Sequence, residues 1–430
     1  MYIPIRVKFL LCLSASISWV ALCIFLAIPW ISGLAKFMPL AFATVVVCSI
    51  AIIPGFIYTF LALSLMSDNR PQAKHLSASE FPGISVLIPD YNESKNIINT
   101  VESIQNNNYS GPLEIIVIDD GSTDATPFIL ASLTGIKVIT IEHMGKTDAL
   151  NAGLKAARYG LIVSVDSDTH LWDNALSNIV ERLYSDPPNT AAVAGAVLVK
   201  NSRQNLLTKL QEWDYFLGIG SVKRMQSLFQ GTLVVQGAFS IYRKDIIEKI
   251  GGWQRTIGED IVLTWALLSH GYRTGFAENA VSFTSVPETY KALYNQRKRW
   301  ALGMIEGFRY NPKILFQNRF STLFIFWNIA FPLLDSIYLF IFFPGLIIAM
   351  FGYFFIAGPL TLLVFPLTFL IDYLMYSIQN KMFHTQRLTV RRNLWGLFLY
   401  ATLYQLVLSP ASVSGYFSGV LSFKKTWGSR

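Results

Sequence analysis

Residues 161–170 read LIVSVDSDTH. An uncharged run rich in β-branched side chains leads into Asp166 and Asp168. Such a run reads as a buried strand, with the two acids at its carboxyl end. Residues two apart in an extended strand share a face, so the spacing predicts two carboxylates side by side. Adjacent carboxylates repel unless a cation lies between them. Oxygen-only ligands suit Mg²⁺ or Mn²⁺, and a diphosphate usually completes the shell. A DxD alone is common; its place at the end of a buried strand gives it weight.

Similar runs lie on either side: ISVLIP (84–89), EIIVID (114–119), IKVITI (136–141) and AAVAGAVLV (191–199). Helical stretches such as KTDALNAGLKAA (146–157) alternate with them. The alternation predicts an α/β domain, a parallel sheet covered by helices. Ligands on such sheets gather at the carboxyl ends of the strands, which is where the acids of this chain collect.

Outside this region the composition changes. The chain has 430 residues, 52% apolar and only 14% charged, whereas soluble domains carry about 25% charged residues. An ordinary soluble protein and a disordered chain are both excluded. Residues 9–30 and 37–66 are apolar, as are 321–359 (broken at Pro344-Gly345), 360–376 and 394–421. Spanning a bilayer takes about 20 apolar residues. The expectation is five spans, with six as the alternative. This divides the chain into three parts: two transmembrane helices in 1–67, a cytosolic domain in 68–318 with interfacial helices at its end, and transmembrane helices with a short basic tail in 319–430. Arg6 and Lys8 precede the first span, and Arg70, Lys74 and His75 follow the second. Cytoplasmic loops are enriched in such charges, so the domain is expected in the cytosol. The tail carries Lys424, Lys425 and Arg430. The net charge of +8 suits an anionic lipid surface, and nucleic acid is not an expected partner. Cys12, Cys23 and Cys48 lie in apolar stretches without a CxxC, which excludes a disulfide framework and a structural zinc site.

Other clusters carry chemistry too. Asp90-Tyr91-Asn92-Glu93 ends the first strand, and an aromatic beside a carboxylate can hold a planar base; the plain alternative is a helix start capped by Asn92. Asp119 and Asp120 end the second strand before Gly121. Carboxylates there can accept hydrogen bonds from a ribose or a uracil, whereas a capping turn explains one acid but not readily both. Lys146 opens a helix, where a cation opposes the dipole unless an anion such as a diphosphate sits there; a solvated surface lysine is the alternative. Glu259 and Asp260 follow Gly258 at another helix start. They are ordinary dipole partners there, or Asp260 is a general base that takes a sugar hydroxyl's proton. Finally, residues 296–300 read QRKRW. Trp300 offers a flat wall to a pyranose ring and Arg299 a fork to phosphate oxygens. Both residue types are also enriched at membrane interfaces, and the two readings are compatible.

DxD, GED and QxxRW in this order resemble the processive, membrane-integrated family-2 glycosyltransferases. These include the synthases of cellulose, hyaluronan, chitin oligosaccharide and poly-β-1,6-N-acetylglucosamine. The motifs cover residues 84–303, and the layout extends the resemblance to the whole chain. The residues PETYKALYNQRKRWALG (287–303) and the short chain are most similar to the bacterial poly-N-acetylglucosamine synthase group.

The resemblance implies a GT-A (Rossmann-like) fold, a UDP-sugar donor, a growing β-linked polysaccharide as acceptor and Mg²⁺ or Mn²⁺ as cofactor. It implies an inverting hexosyltransferase of a bacterial inner membrane, passing its polymer through the bilayer. Tyr91 and Glu93 would contact the uracil, and Asp120 with Asp119 the uridine. Lys146 would meet the diphosphate, and Asp166 and Asp168 the metal. Asp260 would be the base with Glu259 beside it. Gln296, Arg299 and Trp300 would hold the acceptor end and the leaving diphosphate, and Gln236 lies in the loop that greets the acceptor. A small membrane accessory subunit is a further partner the layout allows. There are departures: Asp90 replaces a small residue, Gln236 stands where serine or cysteine is usual, and the FxVTxKG gating loop of cellulose synthase is missing. Arg387 and Arg391 mimic the RxxxR of a cyclic-di-GMP receptor domain; no such domain comes after them, so they read as topology charges. The rival readings are a non-processive enzyme glycosylating a lipid, a synthase of another β-glycan such as hyaluronan or a cellulose-like polymer, and a transporter or membrane scaffold with an inactive transferase domain.

Asp335 and Asp372 fall within or near the C-terminal spans. A carboxylate there lines a wet channel or sits at the interface. For Asp372, beside a basic loop, interfacial placement is the expectation.

Overall fold

The computed structural model describes residues 3–69, 73–357, 364–388 and 393–421. Arg70, Arg391, Arg392, Lys424, Lys425, Arg430 and the start of the expected span at 360–376 lie outside the described residues.

The five predicted strands form as β1 (Ile84–Asp90), β2 (Leu113–Asp119), β3 (Lys137–Thr140), β4 (Leu161–Val165) and β6 (Thr190–Val199). Three others join them: β5 (His170–Leu171), β7 (Phe239–Arg243) and β8 (Arg273–Thr284). The order is β3-β2-β1-β4-β7-β6-β8-β5. The sheet is mixed rather than parallel, because β7 runs antiparallel to both β4 and β6. Every residue of β1 is buried, as expected of a central strand covered on both faces. One cover includes Val101, Ile104, Leu176 and Ile179; the other includes Leu150, Leu154, Leu263 and Leu267. Burying each such side chain contributes about 1.5–3 kcal/mol.

The antiparallel β7 positions the loop that precedes it. Its ladder with β4 ends at Val165↔Phe239. The Ser164 hydroxyl donates to the Gly237 carbonyl at 3.2 Å, and the Asp166 N–H to Ala238 O at 3.3 Å. The loop before β7 is thereby laid against the DxD. Beyond Val165 the strand gives way to a turn that carries Asp166 and Asp168, where Thr169 N–H donates to Asp166 O at 3.0 Å. The same-face strand argument therefore does not apply to them; the turn, not the pleat, brings the two acids together.

Among the described residues, four helices are long and apolar enough to cross a membrane: Ile5–Leu34, Leu40–Met66, Phe320–Met350 and Leu394–Leu421. A fifth helix, Val364–Thr385, has a shorter apolar stretch, Thr368–Ile378. Two of the long helices contain π turns just before a proline, Cys48–Ile52 before Pro54 and Tyr338–Phe342 before Pro344. A helical proline withholds the N–H that the carbonyl four residues back would accept. For Pro54 that carbonyl is Ile50, and it accepts from the Tyr338 hydroxyl of the other π turn at 3.0 Å. Asp335 is likewise buried and paired, accepting from Gln405 Nε2 at 2.8 Å and the Tyr416 hydroxyl at 3.1 Å. Asp372 is 2% exposed, buried against the protein. The helices and the α/β domain share a core in which Phe9, Phe60 and Phe324 meet Phe229.

Candidate active site

Lys146 opens the helix Lys146–Ala156 behind Gly145, whose φ of 100° is costly for a side chain. Its ammonium lies 2.6 Å from Asp166 Oδ1 and 3.2 Å from Glu259 Oε1. Burial would lower the lysine pKa; Asp166 and Glu259 outweigh it and hold the ammonium above its usual range. Gly237 passes so close that a Cβ there would come within 2.6 Å of Lys146 Nζ. Three segments far apart in sequence, the DxD turn, the GED helix and the loop before β7, thus converge on one cation.

Asp168 is held by the Thr284 hydroxyl at 3.2 Å. Burial, with the charges of Asp166 and Glu93, pushes it up to about 6. Two neighbouring acids, one of them short of positive charge, fit a divalent cation. Among the described residues no group of three or more His, Cys, Asp or Glu is placed to hold one.

The two acids after β2 are both engaged by backbone. Asp119 Oδ1 accepts from Ser122 N–H at 2.9 Å. The oxygens of Asp120 accept from Met144 N–H at 2.9 Å and Gly145 N–H at 2.8 Å, and His143 Nδ1 lies 2.9 Å away. Each acid therefore has a structural role, the second in fixing the loop that delivers Lys146. Tyr91 stacks on His143 with centroids 4.1 Å apart, and Glu93 accepts from Asn96 Nδ2 at 2.9 Å. Asn92 does not cap the following helix. Its φ is 57°, and its Oδ1 accepts from Thr123 N–H at 2.8 Å, joining the first two strand-end loops. Asp90 sits beside Asp119 across the β1–β2 register, and burial pushes it up to about 7.

Glu259 and Asp260 begin the helix Glu259–Ser269. Burial raises the Glu259 carboxyl, with Lys146 opposing. Asp260 is half-buried, and its Oδ1 accepts from Ile261 N–H at 2.7 Å. Sequence reasoning missed what sets this turn in place. Glu306 Oε2 accepts from Ile257 N–H at 2.8 Å and Gly258 N–H at 3.1 Å. Gly258 also lies against Gly303, where a Cβ would come within 2.7 Å of the Gly258 Cα. Both Glu306 and Gly303 belong to the helix Tyr290–Tyr310, started by Thr289 capping Ala292 N–H at 3.3 Å.

The same helix carries QRKRW. Arg299 and Trp300 are exposed, Trp300 by 43%, and Gln296 Oε1 is buried without a hydrogen-bond partner among the described residues. Arg297, to which the sequence assigned no role, is buried. Its Nη2 lies 2.6 Å from Asp214 Oδ2 and 3.3 Å from the Tyr404 hydroxyl, and its guanidinium lies 4.1 Å from the Trp300 ring centroid. Gln236 donates from Nε2 to Gly195 O at 2.6 Å.

With this geometry in view, the comparisons with known proteins are specific. Residues 161–421 match the family described as Glycosyl transferase family group 2. The chain belongs to this family. It is 32% identical over 280 residues to a poly-beta-1,6-N-acetyl-D-glucosamine synthase of Staphylococcus aureus (strain COL), covering 64% of this chain and 65% of that one. The synthase of the same name from Staphylococcus epidermidis is 34% identical over 260 residues, 59% of this chain and 62% of that one. The chain thus spans under two thirds of the length of the curated relatives it matches. Its fold is similar to that of a mannosyltransferase from Pyrobaculum calidifontis solved with GDP-Man and Mn²⁺, with a TM-score of 0.58 and 18% identity over 89% of this chain and 99% of that one. The mixed α/β sheet is accordingly of the GT-A glycosyltransferase type, joined to apolar helices able to cross a membrane.

Proposed function

We propose that this family-2 glycosyltransferase is an inverting, processive polysaccharide synthase. It transfers N-acetylglucosamine from a UDP-sugar to a growing β-linked polymer and passes the polymer across a bacterial inner membrane. The observation that carries the reading is the convergence on Lys146 of the DxD turn and the GED helix, in a chain whose curated relatives are named poly-N-acetylglucosamine synthases.

The acceptor hydroxyl attacks C1 of the donor sugar while Asp260 accepts its proton; general-base assistance of this kind contributes about 10²–10⁴-fold. The C1–O bond to the diphosphate breaks as the new bond forms, which inverts the anomeric centre. Lys146 and Arg299 stabilise the charge left on the diphosphate, in a pocket where preorganised cations act strongly. Tyr91 and Glu93 hold the base, with Asp119 and Asp120 shaping the nucleoside side of the pocket. Gln296, Trp300 and Gln236 face the acceptor. Asp166 and Asp168 would hold Mg²⁺ or Mn²⁺, which supplies positive charge to the diphosphate oxygens. The apolar helices, sharing a core with the domain, give the polymer a route through the bilayer, with the domain on the cytosolic side. A small membrane subunit is an admissible partner.

Polymer formation in membrane vesicles tests this. UDP-N-acetylglucosamine with Mg²⁺ or Mn²⁺ should yield a high-mass product degraded by hexosaminidase. A product that requires UDP-glucose replaces the sugar, and single-sugar lipid products alone refute processivity.

A further inference from the structure

The ladder of β4 ends at Val165, so the turn that carries Asp166 and Asp168 must be fixed by other contacts. A divalent cation makes this demanding, since Mg²⁺ takes its oxygens at about 2.0–2.1 Å in near-ideal geometry. Two threonines far from the turn in sequence supply the support. The Thr100 hydroxyl, on the helix Ile97–Gln105, donates at 2.8 Å to the carbonyl of Ser167, the residue between the two acids. Three residues along the same helix, Ser103 Oγ accepts from Leu171 N–H at 3.1 Å and donates back to Thr100 O at 2.8 Å. The helix thus grips the turn on either side of Asp168. Thr100 and Ser103 are buried, so water does not compete for these bonds.

Thr284 acts on the second acid itself. β5 leaves the turn and pairs antiparallel with β8, His170 opposite Phe283. The next step of that register brings Thr284, the last residue of β8, alongside the turn, and its hydroxyl donates to Asp168 Oδ1 at 3.2 Å. Thr169 Oγ1 reaches the same oxygen at 3.4 Å. Asp168 Oδ2 accepts no hydrogen bond among the described residues. Both donors are neutral. They fix the direction of the carboxylate without adding a positive charge against a cation, whereas Asp166 already carries the ammonium of Lys146. We propose that Thr100 and Thr284 are positioning residues for the divalent cation. Thr284 holds Asp168 by one oxygen and leaves the other to the cation, and Thr100 sets the spacing of the two acids through Ser167. The inference rests on the reading of Asp166 and Asp168 as the metal acids and adds the residues that hold them in place.

Mn²⁺ titrations of the full chain in detergent, followed by electron paramagnetic resonance with UDP present, test it without turnover. Thr284→Val and Thr100→Val each remove one hydroxyl and keep the shape of the side chain, whereas Thr284→Ser and Thr100→Ser keep the hydroxyl. Each valine variant should weaken Mn²⁺ binding about 10–100-fold, the size typical of a lost outer partner, and each serine variant should stay within about threefold of wild type. UDP affinity measured in EDTA should not change. A role in folding alone predicts the reverse, a lower melting temperature with Mn²⁺ affinity at the wild-type value. A loss of less than about tenfold in a valine variant, or as large a loss in its serine partner, overturns the assignment of that threonine. The Thr284 hydroxyl bonds to a side chain and not to backbone, so its variants decide the matter if Thr100→Val does not fold. A wild type that binds Mn²⁺ but makes no product from UDP-N-acetylglucosamine refutes the proposed sugar transfer, and the same titration still judges the threonines. A wild type that binds no Mn²⁺ with UDP present refutes the cation site and the inference with it.

Discussion

The ammonium of Lys146 lies 2.6 Å from Asp166 Oδ1, so the lysine proposed to meet the diphosphate forms an ion pair with the first acid of the DxD. With Glu259 at 3.2 Å, the lysine neutralises acids from two distant segments. A substrate diphosphate and its cation would have to share these charges anew.

Lys146→Met is expected to lower kcat about 100-fold and raise the donor KM at least about tenfold, since it removes a cation aimed at the leaving group. Its side chain is 28% exposed, so the loss of stability should be about 1–2 kcal/mol rather than that of a fully buried pair. Steady-state kinetics and a denaturant midpoint check both; an unchanged donor KM would remove Lys146 from the diphosphate site.

Asp260→Asn keeps the shape of the base and removes its basicity. Transfer should fall about 10³-fold, with UDP affinity within about twofold of wild type. Turnover and titration calorimetry on the same preparation separate the two, and substantial residual transfer would refute the base assignment.

Glu306 acts on Asp260 at one remove, by holding the N–H groups of Ile257 and Gly258. Glu306→Gln should cut kcat about tenfold without changing UDP affinity, the size expected when a positioned base is loosened rather than lost. Gly303→Ala should be the harsher change, because its Cβ meets backbone, the Gly258 Cα at 2.7 Å. Overpacking of this kind costs about 1–3 kcal/mol. Thermal melts should show a clear fall in Tm for Gly303→Ala and little change for Glu306→Gln.

Arg297 couples the QRKRW helix to Asp214 and, through Tyr404, to the helix Leu394–Leu421. Arg297→Met should release Trp300 from the guanidinium stacked on it and leave Asp214 without its cation. The acceptor KM should rise more than the donor KM, which product-length analysis at limiting acceptor would also register as shorter chains.

Asp90 gives a pH-dependent prediction. Its folded-state pKa, about 7, lies above the ordinary 3.8. Stability associated with the protonated carboxyl is fully present below about pH 4 and is lost as the pH rises through about 7. Asp90→Asn should therefore stabilise the protein by about 2–4 kcal/mol above about pH 7, with the gain shrinking toward about pH 4. Melting curves at about pH 5 and about pH 8 test the sign; equal shifts at both would refute it.

Much of the frame was legible in the chain. Apolar, β-branched runs located five strands closely, and β1 and β4, buried along their whole length, carry no charge before Asp90 and Asp166. Pro344-Gly345 read as a break, whereas the helix Phe320–Met350 runs on past it through a π turn, and the Tyr338 hydroxyl that serves the Ile50 carbonyl was not legible. The sheet was misjudged as parallel: β7 is short, and an isolated run of five residues carries no direction. Asp119 and Asp120 were expected at the uridine, and the sequence did not show that backbone N–H groups hold them; for Asp120 that contact comes from a loop 25 residues away.

The sequence by itself determined which residues are candidates for the chemistry and roughly where each element lies, because hydrophobic periodicity, turn residues and helix starts are local properties. Tertiary structure alone decided that Lys146 bridges Asp166 and Glu259, that Glu306 and Gly303 seat the GED turn, and that Thr100 and Thr284 reach the DxD turn. Those facts depend on close approaches between side chains far apart in the chain. Only closure of the mixed sheet and packing of the Tyr290–Tyr310 helix against the Glu259–Ser269 helix bring them together.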